Sequence, residues 1–153
     1  MFEFGSPVKN RIRNSSYVYT RDSFIYAVSD NMPVIERYDL QGNYIDSYDY
    51  SDVKEVKSRL SYAKQNPPDI ENSYYQIIAN SYLHGDKLYL LLLTEIEYKD
   101  GESNKILEID LNGTMKATRL FHLGKRWFGG FCVTDYLWAF DRKTATIVKY
   151  KMP

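Results

Sequence analysis

Three stretches of the chain, "VIERYDL" (Val34 to Leu40), "KILEIDL" (Lys105 to Leu111) and "TIVKYKM" (Thr146 to Met152), align without gaps. The alignment puts Ile35, Ile106 and Ile147 in one column and Tyr38, Ile109 and Tyr150 in another. Upstream of each lies a second shared piece, "FIYAV" around Tyr26, "KLYLL" around Tyr89 and "YLWAF" around Trp138, following an acidic residue at Asp22, Asp86 or Asp135. Internal repetition restricts a fold more than any other pattern, because each repeat must be one structural unit that buries its apolar face against the next. The aromatic precedes the isoleucine by 9 residues in the first and third repeats and by 17 in the second, so the middle repeat carries an 8-residue insertion. That insertion centres on the polar "YKDGESN" around Gly101 and reads as a solvent loop. A longer insertion runs from Ser51 to Ser73, and with both set aside the repeats recur about every 40 residues.

A period of that length, built from short strands and glycine turns, is the sequence signature of β-propeller blades, each a four-stranded antiparallel sheet. The predicted fold is all-β, a partial propeller of about three blades in a single domain over 1–153. Blade one covers 15–50, blade two 74–121 and an incomplete blade three 127–152, with strands near 16–20, 23–29, 33–40, 43–49, 74–83, 86–96, 104–111, 114–121, 128–134, 136–141 and 145–152. "DLQGN" at Asp39 and "DLNGT" at Asp110 predict hairpin turns between the third and fourth strands: glycine accepts positive φ at no steric cost, and the aspartate can accept bonds from the turn amides. "LYLLLLT" from Leu88 is apolar on both faces, as a strand sandwiched between layers should be. Sixteen per cent aromatic residues suit such half-buried pleated surfaces.

The 51–73 insertion predicts a helix near 52–65, with Val53, Val56, Leu60 and Ala63 on one face, Asp52 and Glu55 as an N-terminal cap pair, and a Glu55 to Arg59 ion pair. "QNPPD" from Gln65 then stops it.

Chemistry is sparser. Twenty basic and 20 acidic residues cancel, so no excess positive field draws the chain to nucleic acid or anionic lipid. No apolar run is long enough for a membrane span or a signal peptide. Cys132, the one cysteine, excludes an intrachain disulfide and reads as a small hydrophobe rather than a catalytic thiol. His84 in "LHGD" and His122 in "FHLGKRW" fall in a turn and a link, where surface placement outweighs ligation of a metal. Asp39 and Asp110 are one per turn and lack the clustered oxygens calcium needs. "NSS" at Asn14 and "NGT" at Asn112 match the glycosylation pattern, which is common by chance. No acid, base and nucleophile come together, no catalytic residue is assigned, and no metal or cofactor is called for. If a ligand binds, the candidate residues are His122, Lys125, Arg126 and Trp127, cations beside an aromatic on a link between blades. The competing reading is that Trp127 and Phe128 merely begin the next inner strand.

Through "IYAVSD", "VIERYDLQGNYI", "LYLLLL" and "KILEIDLNGTM", the chain resembles the TolB-like six-bladed β-propeller lipoproteins of Gram-negative anaerobes over most of 15–152. The resemblance implies an exported, extracytoplasmic protein of the periplasm or cell surface that binds or scaffolds a protein or small polar ligand. The chain departs from that pattern in showing three blades and neither signal peptide nor lipobox cysteine. The implied role is a non-catalytic binding or scaffolding module. Two alternatives stand: a propeller hydrolase or lyase, which needs Glu, Asp, Asn or His converging on a central channel, and an inactive fragment of a longer propeller. An unfinished third blade further predicts either a closing strand from "FEFGSPV" (Phe2 to Val8) or a homodimer completing a six-bladed ring.

Overall fold

Short runs of β-branched and aromatic residues broken by glycine and aspartate leave the backbone few options besides antiparallel hairpins, and that is what the chain forms. The computed structural model describes residues 15–66, 75–94, 103–124 and 126–152. The proposed closing strand at 2–8, the loop around Gly101, most of the "QNPPD" stop and Lys125 lie outside the described residues. The chain divides into two compact units, 1–77 and 78–153.

The first unit holds β1 (Ser16–Arg21), β2 (Phe24–Ser29), β3 (Val34–Asp39) and β4 (Tyr44–Asp49), a four-stranded meander in the order β1-β2-β3-β4. All three pairings are antiparallel. Alternation sends Tyr26, Val28 and Ile35 to one face, where they are buried. The Asp39 turn forms as its sequence requires: Asp39 Oδ1 accepts the amides of Gln41 at 2.9 Å and Asn43 at 2.8 Å, and Gly42 takes φ 84°. The Asn43 side chain and amide hold the Asp39 carboxyl below its ordinary pKa.

Helix α1 (Lys54–Gln65) follows. Its N-cap is Val53, with no side-chain capping bond, which corrects the expected Asp52–Glu55 cap. Tertiary anchoring does the work of a cap here. Val56 is buried, Arg59 donates to the Gln76 carbonyl at 3.2 Å, and the guanidinium lies 5.1 Å from the centre of the Tyr75 ring.

The second unit contains two sheets. β5 (Ile78–His84), β6 (Lys87–Leu92), β7 (Lys105–Asp110) and β8 (Lys116–His122) form one antiparallel meander; β9 (Phe128–Val133), β10 (Tyr136–Asp141) and β11 (Thr146–Lys151) form the other. β6 is buried at every position from Leu88 to Leu92, as its two-sided apolar sequence predicts. The sheets meet over Tyr89, Leu91, Ile106, Leu123, Phe128, Val133, Leu137 and Ala139, and the rings of Tyr82 on β5 and Phe131 on β9 lie 6.2 Å apart. In the second turn Asp110 Oδ1 accepts the Asn112 amide at 2.9 Å, and Gly113 takes φ 62°. Three antiparallel sheets of four, four and three strands with one helix among the described residues make this an all-β, blade-like fold.

Candidate functional site

The link from β8 to β9 is where the candidate residues fall, and its backbone is held from three sides. Leu123 N donates to Asn104 O at 2.8 Å, and Asn104 Nδ2 donates to the Gly124 carbonyl at 2.6 Å. The Tyr150 hydroxyl donates to Leu123 O at 2.8 Å. Phe128 N donates to Ser103 O at 3.1 Å, and the buried Ser103 hydroxyl returns a bond to the Phe128 carbonyl. Gly124 has φ 84°, a conformation in which a side chain is strained, so the link turns there.

On this frame the candidates separate. Arg126 Nη1 pairs with Asp141 Oδ2 at 3.2 Å, and the aspartate side chain is only 3% exposed while the arginine is 45% exposed. Trp127 is also 45% exposed. Its carbonyl accepts the Arg142 amide at 2.8 Å, and the Arg142 guanidinium lies 5.2 Å from the ring centre. His122 stands apart: it ends β8 opposite Lys105, exposed. Phe128, next to Trp127, turns inward and starts β9. His84 ends β5 at the Gly85 turn, and Cys132 is half-buried on β9 opposite Trp138. Among the described residues no group of three or more His, Cys, Asp or Glu is placed to hold a metal ion.

Three residues outside the sequence-predicted set complete the cluster: Asp141, Arg142 and Gly129. A Cβ added to Gly129 would sit 2.1 Å from Arg142 Nε, so the glycine is what lets the arginine cross β9 toward Trp127. The signal was present in the sequence as "FGGFCV", an inner strand with two consecutive glycines, which marks a close approach by something else. The arrangement offers an aromatic plane with a stacked guanidinium, a second guanidinium beside it, and a backbone already fixed. That suits recognition of a planar or anionic group, since little ordering remains to be done on binding.

Asp141 holds this cluster together. Burial works to raise its pKa, but the amides of Lys143 and Thr144, the Thr144 hydroxyl and the Arg126 guanidinium outweigh that and hold it below the ordinary carboxylate value. A depressed carboxylate contributes stability above its unfolded pKa of about 3.9, and that contribution is lost as pH falls through the lower folded value. Asp141→Asn is therefore expected to melt below the parent at pH 7, with the gap narrowing as the pH drops under about 4. Melting curves from pH 7 to 3 check this, and a gap independent of pH would assign the loss to shape rather than charge.

No family model matches the chain, and no curated protein matches it. Among solved structures it is similar to a Bacteroides fragilis NCTC 9343 protein described as a 6-phosphogluconolactonase, with a TM-score of 0.52 at 14% identity. The likeness covers 90% of this chain and 34% of that one, so the chain spans about a third of its length. At this identity the likeness establishes a fold, propeller-like and all-β. No helix among the described residues is long and apolar enough to cross a membrane.

Proposed function

We propose that the chain is a non-catalytic binding module of β-propeller type, acting as one domain over 1–153, whose recognition surface is the Arg126–Trp127–Arg142 cluster. The observation that carries this reading is a half-exposed tryptophan whose backbone is bonded in place and whose face carries a guanidinium. Exposed aromatic and arginine side chains on a rigid scaffold are favoured anchors for a partner. The ligand class is a protein or small polar molecule presenting a carboxylate, which an arginine fork can receive on two bonds. His122 and Lys125 flank the cluster in sequence and belong to the proposal as peripheral cations. Kinship with TolB-like propeller lipoproteins, and with it an extracytoplasmic address, forms part of the same reading and rests on the repeat motifs.

A hexaglutamate peptide serves as the probe, its binding followed by isothermal titration calorimetry. A saturable change is expected, abolished by Trp127→Ala, weakened about tenfold by Gly129→Ala through displacement of Arg142, and reduced by salt. No response, or one that survives Trp127→Ala, overturns the site. The hydrolase alternative has one observation in its favour, the activity by which the Bacteroides fragilis structural neighbour is described. Assay of 6-phosphogluconolactone hydrolysis separates the two readings. The expected result is no rate above buffer, and turnover that survives rigorous purification would replace the binding reading with the catalytic one.

A further inference from the structure

Two sheet faces of this chain carry more exposed apolar surface than isolated surface residues explain, and their charges have opposite sign. On the β1–β4 sheet, alternation places Val18, Ile25, Tyr38 and Tyr44 on the face opposite the buried Tyr26 and Ile35. Val18 is 64% exposed and Tyr44 57%. The same face holds Glu36 and Asp49. Its described residues include no Lys or Arg, since Arg21 and Arg37 belong to the other face. On the β9–β11 sheet, Tyr136, Trp138, Phe140 and Ile147 lie on the face opposite the buried Leu137 and Ala139. Phe140 is 44% exposed and Ile147 71%. This face holds Lys149 and Lys151 and no acidic residue among the described strand positions.

We infer that these two faces are complementary halves of one interface, and that their occupant is a second copy of this chain: the β9–β11 face of one molecule packs on the β1–β4 face of the next. Each face supplies what the other lacks, an apolar patch of aromatic and branched side chains around a charge of the opposite sign. Glu36 lies on an inner strand of its sheet and Lys149 on the edge strand β11, each at an interior position of its strand. The lysine is already placed for the task. Its Nζ lies 3.5 Å from the Tyr136 ring centre and 4.9 Å from that of Trp138, two rings packed edge to face at 6.4 Å, so the ammonium is held against the aromatic end of the patch. Glu36 is similarly fixed, its Oε2 accepting the Tyr38 hydroxyl at 2.7 Å. Face-to-face sheet packing spaces the layers by about 10 Å, within reach of one lysine and one glutamate side chain. Because the two patches differ, the contact is heterologous: it closes when two copies exchange faces, and otherwise extends head to tail. This inference is independent of the ligand site at Trp127 and stands or falls separately.

The experiment is sedimentation velocity on the 153-residue chain at 5 to 100 µM, on the parent and on two charge reversals, Glu36→Lys and Lys149→Glu, with circular dichroism confirming that all three fold. The parent is expected to associate into a dimer or a head-to-tail series. Each reversal alone places like charges across every contact and is expected to raise the dissociation constant about tenfold or more per contact. An equimolar mixture of the two reversals has opposite charges at both possible contacts, so association returns to the parent's range as a mixed species. A monomeric parent at 100 µM overturns the inference, as do reversals that leave association unchanged and a mixture that stays monomeric.

Discussion

Phe128→Ala is expected to destabilise the 78–153 unit by about 3–5 kcal/mol, the range for truncating a fully buried phenylalanine. The residue is completely shielded from solvent and sits among Tyr89, Leu91, Ile106, Leu123, Val133, Leu137 and Ala139, where the two sheets of that unit meet. Its ring packs edge to face on Tyr150 at 6.1 Å and 84°. Both backbone groups are bonded to Ser103, so the strand start cannot slide into the space the ring leaves, and the cavity term stays large. The loss also reaches the recognition surface, because Trp127 is the preceding residue and shares the fixed backbone. Chemical denaturation with tryptophan fluorescence measures it, and Phe128→Leu, which keeps most of the volume, should cost under about 1.5 kcal/mol. A loss below about 1 kcal/mol for the alanine variant would show that the two sheets are not packed around this ring.

The two residues "WF" in "HLGKRWF" illustrate what the sequence could disclose and what it could not. Strand identity followed from alternation and turn chemistry, both local, and the Asp39 and Asp110 turns formed as their side chains dictate. The eleven strands among the described residues fall within a few residues of their expected places for the same reason. What failed was decided by contacts distant in sequence. A helix cap is a local preference, yet Arg59, bonded to Gln76, and buried Val56 secure α1 without one. The candidate cluster required Asp141 and Arg142 to return beside Arg126 and Trp127, fifteen residues earlier, and no periodicity encodes that encounter. Gly129 alone announced it, through an absence of side chain where a strand would ordinarily place one. Charge patterning over the outer faces was equally hidden, since Glu36 and Lys149 gain meaning only after the register assigns each to a face.

Tyr50→Phe is expected to act in the opposite direction and stabilise the 1–77 unit, by on the order of 1–3 kcal/mol. Tyr50 is 1% exposed, its amide is bonded to Pro33 O at 2.9 Å, and its carbonyl accepts Val53 N at 3.1 Å, so the backbone is satisfied and the ring is fixed. The hydroxyl is the exception: it is buried with no hydrogen-bond partner among the described residues. Burial, with the carboxylates of Asp49 and Asp30 next in weight, pushes its pKa up, so the group stays a neutral phenol throughout the physiological range. A buried hydroxyl without a partner carries a desolvation cost that nothing returns, and phenylalanine keeps the ring packing while removing that cost. One further orphan lies in the same unit, Asp30 Oδ1, although Oδ2 of that carboxylate accepts Gln76 Nε2 at 3.3 Å. Native proteins keep only a few buried polar atoms without a partner, and each calls for an explanation, which is why the sign of the Tyr50→Phe effect is informative. For a chain of this length each kcal/mol gained raises Tm by roughly 2–4 °C. Calorimetry of parent and variant reads the shift directly, and a fall in Tm would mean that Tyr50 Oη does have a partner in solution and that the hydroxyl is held for a purpose.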